Sequence, residues 1–225
     1  MDSAAPAGER LDRSAAEGSG RPGEYRFDLS GGRLCLDFVN TLSGRATSVE
    51  EHLNAYADLV AFGRQSGELG TEKAEALVRE AARSPARARH VLREAVGIRE
   101  VLYRTFLAVA EGARPRPADV EALNGALREA MARARIELEA GEGCCAWCWD
   151  EDAGALDRPL WPVLRSAAEL LTTKDVSRVR VCDAKTCQWL FLDTSRNRSR
   201  RWCDMKVCGN RAKAQRHYRK RKAAT

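Results

Sequence analysis

A chain of 225 residues with 44% hydrophobic content can hold a core domain plus a small module, and its wealth of Ala, Leu, Arg and Glu with only 6% aromatics favours helices. The net charge of +6 is unevenly held: residues 174–225 carry 16 Lys and Arg against 4 Asp and Glu, whereas the preceding 173 residues carry 22 against 28. No run approaches the roughly 20 apolar residues of a bilayer span and no apolar segment follows the charged start as in a secretory signal, so the eight cysteines read as reduced thiols of a cytoplasmic protein rather than as disulfides.

Residues 1–24 mix Ala, Gly, Ser, Pro and charge without periodicity and read as a disordered tail. From Tyr25, an extended start and a Gly31-Gly32 turn lead into an apolar helix with Leu34, Phe38 and Leu42 on one stripe. Asp37 and Asn40 share a face of that helix; they can bind a ligand or tie segments together, and a polar tie is the expectation. A second helix is expected from Ser48 to Gln65, opened by a Ser48–Glu51 capping box, and a third from Thr71 to Arg83. The longest, Pro85 to Glu111, carries the stripe Val91, Leu92, Ala95, Ile98, Leu102, Phe106 and Val109 as the spine of the core. Another runs from Pro117 to about Arg135, burying Val120, Leu123, Leu127, Ala130, Met131 and Ala134.

Residues 136–158 change to strand and turn chemistry, and predict a small β-hairpin in which Trp147-Cys-Trp149 pairs back with Ala155-Leu156. Cys145-x-x-Cys148 invites a metal half-site or a redox pair. Cys144 is too close to complete a ligand set and no βαβ pattern surrounds the motif, so a partly buried cysteine-rich strand is expected. An amphipathic helix from Arg158 to Thr173, anchored by Trp161, closes a helical body spanning 25–174.

The strongest chemical signal follows, in residues 178–222. Cys182/Cys187 and Cys203/Cys208 form two matched Cys-x4-Cys pairs. Four thiolates suit one tetrahedral structural Zn²⁺ per chain with no open position for catalysis, while an iron–sulfur centre is the alternative. Strands are expected at Val179–Val181 and Trp189–Phe191, a helix from Asn210, and a positive φ at Gly209. Phe191 and Trp202 are expected to be buried beneath the metal, and Asp193 to pair with an arginine. Arg196, Arg198, Arg200 and Arg201 between the pairs, and Arg211, Lys213 and Arg216 after them, are candidate phosphate contacts.

The run from Cys182 to about Arg219 resembles the CGNR zinc finger, whose namesake string stands here as Cys208-Gly209-Asn210-Arg211, with DTSRNRSRRWC at 193–203 and Lys213 as further marks. The region before it resembles the ABATE domain through LDFVNTL at 36–42 and its helical body. The resemblance implies a stress-related transcription regulator with a nucleic-acid-binding finger. The expected fold is mainly α: a multi-helix body with a small hairpin, then a treble-clef or ribbon-like finger ending in a basic helix. The expected partner is nucleic acid, DNA ahead of RNA, with a homodimer as an option and no membrane; RNA binding and a protein-interaction module are the alternatives. With histidines only at 52, 90 and 217 and no nucleophile or phosphate-loop motif, no enzyme is expected.

Overall fold

Helices dominate, as the composition requires, and three short antiparallel strand pairs interrupt them. The computed structural model describes residues 21–138, 145–150 and 154–223, with the backbone alone at 215–217, 219–220 and 223; most of the expected N-terminal tail therefore lies outside the described residues. In chain order come α1 (Leu34–Val39), β1 (Leu42–Ser43), β2 (Glu50–Glu51), α2 (Tyr56–Gln65), α3 (Thr71–Arg83), α4 (Pro85–Ala110), α5 (Pro117–Met131), β3 (Ala134–Leu138), β4 (Cys145–Trp149), α6 (Trp161–Thr172), β5 (Val179–Val181), β6 (Leu190–Leu192) and α7 (Asn210–Ala223). The pairs are β1–β2, β3–β4 and β5–β6. Among the described residues no helix is long and apolar enough to cross a membrane.

The core is set by Leu36 and Phe38 of α1, Phe62 of α2, Leu77 of α3, Leu102 and Phe106 of α4, and Trp161 and Leu170 of α6, all essentially inaccessible to solvent. Phe38 meets the Phe62 ring edge-on at 5.4 Å, and Trp161 donates its indole N–H to Asp157 at 2.8 Å, so its one polar atom is satisfied. Along α4, Val91, Ala95, Leu102 and Phe106 are buried as expected, whereas Ile98 and Val109 are only half-buried.

Three boundaries differ from the sequence reading, each because a tertiary partner outcompetes local preference. The helix after Gly32 stops at Val39, so Leu42 lies in β1 opposite Glu51 rather than on a helical stripe. Ser48 and Glu51 form no capping box: the Glu51 carboxylate is drawn to Arg99, with N···O distances of 2.5 and 2.7 Å, and α2 starts only at Tyr56. Its start is held by Asp58, which accepts from the Asn54 and Ala55 N–H groups at 2.9 and 2.7 Å and from Gly23 at 2.6 Å. Helix α5 ends at Met131, and Ala134 begins β3; Val120 is exposed, leaving Leu123 and Ala130 as the buried apolar residues of α5.

The hairpin exists with a different partner. Trp147 and Trp149 lie on β4, which pairs with the upstream residues 134–138 and not with Ala155-Leu156. Within β4, Cys145 and Cys148 are three residues apart, about 10 Å along an extended strand and on opposite faces. A disulfide needs Cα atoms within about 7 Å, so β4 as it stands cannot close one. Cys144 lies outside the described residues.

Strand β6 decides how the C-terminal module is attached. All three of its residues are buried, and their alternation sends them to two cores. Leu190 and Leu192 join the core of the helical body with Val179, while Phe191 joins a second cluster with Cys182, Ala184, Cys203 and Cys208. The Asn40 side chain clamps the same strand: its Nδ2 donates to Leu190 O at 2.8 Å and its Oδ1 accepts from Leu190 N at 3.0 Å. Leu192 N–H donates to Gly31 O at 2.8 Å, and the Trp189 indole to Leu42 O at 3.3 Å. Asp37 accepts from Gly31 N–H at 2.7 Å, and burial pushes its carboxyl up to about 7 against that hydrogen bond. The Asp37–Asn40 pair is thus used internally as a polar tie.

Replacing Asn40 with Ala orphans both backbone groups of Leu190 in a buried site. We expect a loss of about 3 kcal/mol in stability, read by urea denaturation; a loss below about 1 kcal/mol would show that the clamp is not a constraint.

Candidate metal centre and basic surface

The first cysteine pair follows β5. Cys187 N–H closes a turn onto Ala184 O at 2.9 Å, Gln188 takes a left-handed φ of 57°, and Cys182 N–H returns to Trp189 O at 2.8 Å. The second pair opens the terminal helix. Asp204 accepts from Lys206 and Val207 N–H at 2.5 and 3.0 Å, capping a wide helical turn at Met205–Gly209 that carries Cys208 and runs into α7. Asp183 N–H donates to Arg201 O at 2.9 Å and joins the two pairs. Gly209 does not adopt a positive φ; it is helical, and a Cβ there would sit 2.4 Å from Met205 Sδ. That sulfur is the far end of a flexible side chain 55% exposed, which can move aside, so neither backbone reversal nor a rigid neighbour fixes glycine here.

The four Sγ atoms lie within 4.8 Å of one another, the one such group of potential metal ligands among the described residues. Cys187 Sγ is 3.6 Å from Cys203 Sγ, which is 3.7 Å from Cys208 Sγ. A tetrahedron with Zn–S bonds of about 2.3 Å has S···S edges of about 3.8 Å, so the residues fit a structural Zn²⁺ held by four thiolates. Cys182, Cys203 and Cys208 are buried and Cys187 is half-buried, with no non-sulfur donor completing the set. Hydrogen bonds from the Cys187, Cys203 and Cys208 thiols lower Cys182, and that interaction in turn raises Cys187 and Cys203. A bound divalent cation would hold all four as thiolates.

A family model with the description "Putative stress-induced transcription regulator", named ABATE, matches residues 32–174, and a CGNR zinc finger model matches residues 178–221. The chain belongs to the ABATE family. No curated protein matches it. The ABATE match ends just before β5, yet β5 and β6 share the body's core, so the family boundary is not a boundary in packing.

The finger of this ABATE family member distributes its basic residues unequally. Arg196 and Arg198 are exposed in the loop between the pairs, Arg198 with a φ of 51° in a turn closed onto Ser195 O at 3.2 Å. Arg200 differs: it is half-buried, donates to Trp202 O at 2.9 Å, to Cys203 O and to Ser30 O at 3.4 Å, and lies 4.6 Å over the Phe191 ring. It braces the metal loop against the body. Arg201 is exposed but paired with Asp183 at 2.6 Å, with its guanidinium 5.4 Å over Trp202. Arg211 is exposed and reaches Thr186 Oγ1 at 3.3 Å, Lys213 is exposed, and the side chain of Arg216 lies outside the described residues. Phe191 is fully buried and Trp202 half-buried. Asp193 makes no direct ion pair with a described arginine, although the Arg180 charge helps to lower it. Burial alone would raise its carboxyl, but the Ser195 hydroxyl and N–H and the Arg200 N–H hold it below the usual value.

Sequence reasoning missed the buried ion network of the helical body. Arg99 on α4 is 2% exposed and bonds Glu51 and Glu100. Glu100 also takes Arg45 at 2.7 Å, and the Arg45 guanidinium lies 3.8 Å over Tyr103. The signal was present: Arg99 stands in phase with Ala95, Leu102 and Phe106 on the buried stripe, and an arginine there demands carboxylate partners.

Purified protein is expected to carry one zinc per chain. Cys203→Ser should abolish stoichiometric zinc and lower the thermal midpoint of the whole chain, because Phe191 and Leu190 share one strand. Metal analysis with a circular-dichroism melt checks this; full zinc content in the variant would remove Cys203 from the ligand set.

Proposed function

We propose that this protein is a cytoplasmic DNA-binding transcription regulator in which the zinc-ordered finger contacts the phosphate backbone and the helical body carries the regulatory input. One observation supports the reading most: the fate of the four acids in the basic segment. Asp193 and Asp204 are consumed by backbone N–H groups, Asp183 by Arg201, and Asp175 by Arg33 and Arg178. Arg196, Arg198 and Lys213 make no ion pair with any described residue, and the positive surplus stays on the surface of a rigid module, as a polyanion partner requires.

Two surfaces carry it, the Arg196–Arg198 loop and the start of α7 with Arg211 and Lys213. Duplex DNA is favoured over single-stranded RNA because stacking platforms are scarce: Phe191 is inside, and Trp189 is held by its bond to Leu42. RNA is the second reading, carried by Tyr218, which is 69% exposed on α7.

The test is a salt titration of the intact protein against duplex DNA and single-stranded RNA. The double variant Arg196→Ala/Arg198→Ala should bind more weakly and lower the log K against log salt slope by about 0.9 for each phosphate it no longer neutralises. Absent or salt-insensitive binding by the wild type would sink the proposal. Arg200→Ala should instead lower finger stability.

A further inference from the structure

The outer edge of β3 faces solvent: Arg135, Ile136, Glu137 and Leu138 are all exposed, and β4 is its only strand partner among the described residues. The side chains sort cleanly. Ile136 and Leu138 share a face with Trp147 and are 64%, 81% and 48% exposed respectively, while Arg135 and Glu137 lie on the other face. So large an apolar display on a two-stranded ribbon calls for a partner.

The backbone says what kind. Asp150 N–H donates to Arg133 O at 2.9 Å, in continuation of the register that pairs Ala134 with Trp149. Residue 133 therefore turns its polar groups toward β4, and 135 and 137 follow with the strand's period of two. The N–H and C=O groups of Ala134, Ile136 and Leu138 point the other way, along the open edge. Charged residues on an edge ordinarily deter pairing. Here Arg135 pairs with Glu137 of its own strand at 2.7 Å and with Asp150 at 3.6 Å, and because the order Arg-Ile-Glu is complementary to itself when run antiparallel, a second copy can exchange the pair within the strand for two pairs between strands.

We propose that β3 is a homodimerisation strand: two copies of the chain pair antiparallel about a two-fold axis at Ile136, forming a continuous β4–β3–β3–β4 sheet. In that register Arg135 of one copy faces Glu137 of the other at both symmetric positions, Ala134 faces Leu138, and the two Ile136 residues exchange backbone hydrogen bonds. The apolar face becomes one stripe of Ile136, Leu138 and Trp147 from both copies. A strand pair this short buries less than a standard interface, so the dimer is weak and reversible in the free protein. The proposal does not depend on nucleic-acid binding.

Sedimentation velocity on the full chain over a wide concentration range tests it. The wild type should show a concentration-dependent dimer. Arg135→Glu alone and Glu137→Arg alone place like charges opposite each other and should each weaken it by roughly tenfold or more. An equal mixture of the two single variants should recover dimer, because the heterotypic pair restores both attractions whatever either change does inside its own hairpin. Ile136→Pro removes only an outward N–H, so the β3–β4 ladder survives and the dimer should be lost. A wild type that stays monomeric throughout, a dimer indifferent to all three substitutions, or a mixture as monomeric as its components would each overturn the proposal.

Discussion

The structure depends on β6 being buried on both faces. A three-residue strand has no stability of its own, and β6 persists because Leu190 and Leu192 fill the helical body, Phe191 fills the space beneath the cysteines, and Asn40 clamps the backbone between them. The finger is therefore not tethered to the body by a linker. Its hairpin is one wall of the body's core, and the motif Leu36–Leu42 that precedes it by some 150 positions supplies the matching surface. This explains why an asparagine, with donor and acceptor on one short side chain, stands at position 40: it can satisfy both groups of a single backbone residue.

Electrostatics divide the molecule along a different line. In the body, buried and half-buried charges are closed into networks: Arg99 with Glu51 and Glu100, Arg45 with Glu100, and Asp119 with Arg104 and Arg116. In the finger, Asp193 and Asp204 make no direct ion pair with a described arginine: Asp193 closes a loop and Asp204 caps a helical turn. The same residue type does opposite jobs within five positions. Arg196 and Arg198 reach into solvent, while Arg200 gives its guanidinium to carbonyl oxygens and an aromatic face. Carbonyl acceptors leave the positive charge formally uncancelled, so Arg200 can brace the loop and still add to the field around the four sulfurs.

Much of this was legible in the sequence where the determinants are local. Thr71–Arg83 and the start of α4 at Pro85 follow from periodicity and helix-start chemistry, and the metal site follows from cysteine spacing. Asn40 could be recognised as a tie, though not to what. The failures share a cause. Leu42, Glu51 and Ala134 carry helix-compatible patterns, and each is taken by a partner far away in sequence or by a strand ladder whose energy no local window contains. Gly209 departs from expectation because a glycine after a metal ligand need not adopt a positive φ: here the helical turn that begins at Met205 carries straight through it. The charges in the inter-pair loop look equivalent as a string; only the path of the chain shows that Arg200 folds inward.

A shared strand makes the two halves thermodynamically reciprocal. Zinc binding orders the side of β6 that carries Phe191, and the body orders the side that carries Leu190 and Leu192. Whatever strengthens one side must favour the other by the same free energy. The network of Arg45, Glu100, Arg99 and Glu51 ties α4 to the strand pair that begins two residues after Asn40. A change in packing within the helical body has a physical route to the finger, through packing that has few ways to deform, and occupancy of the metal site has the same route back.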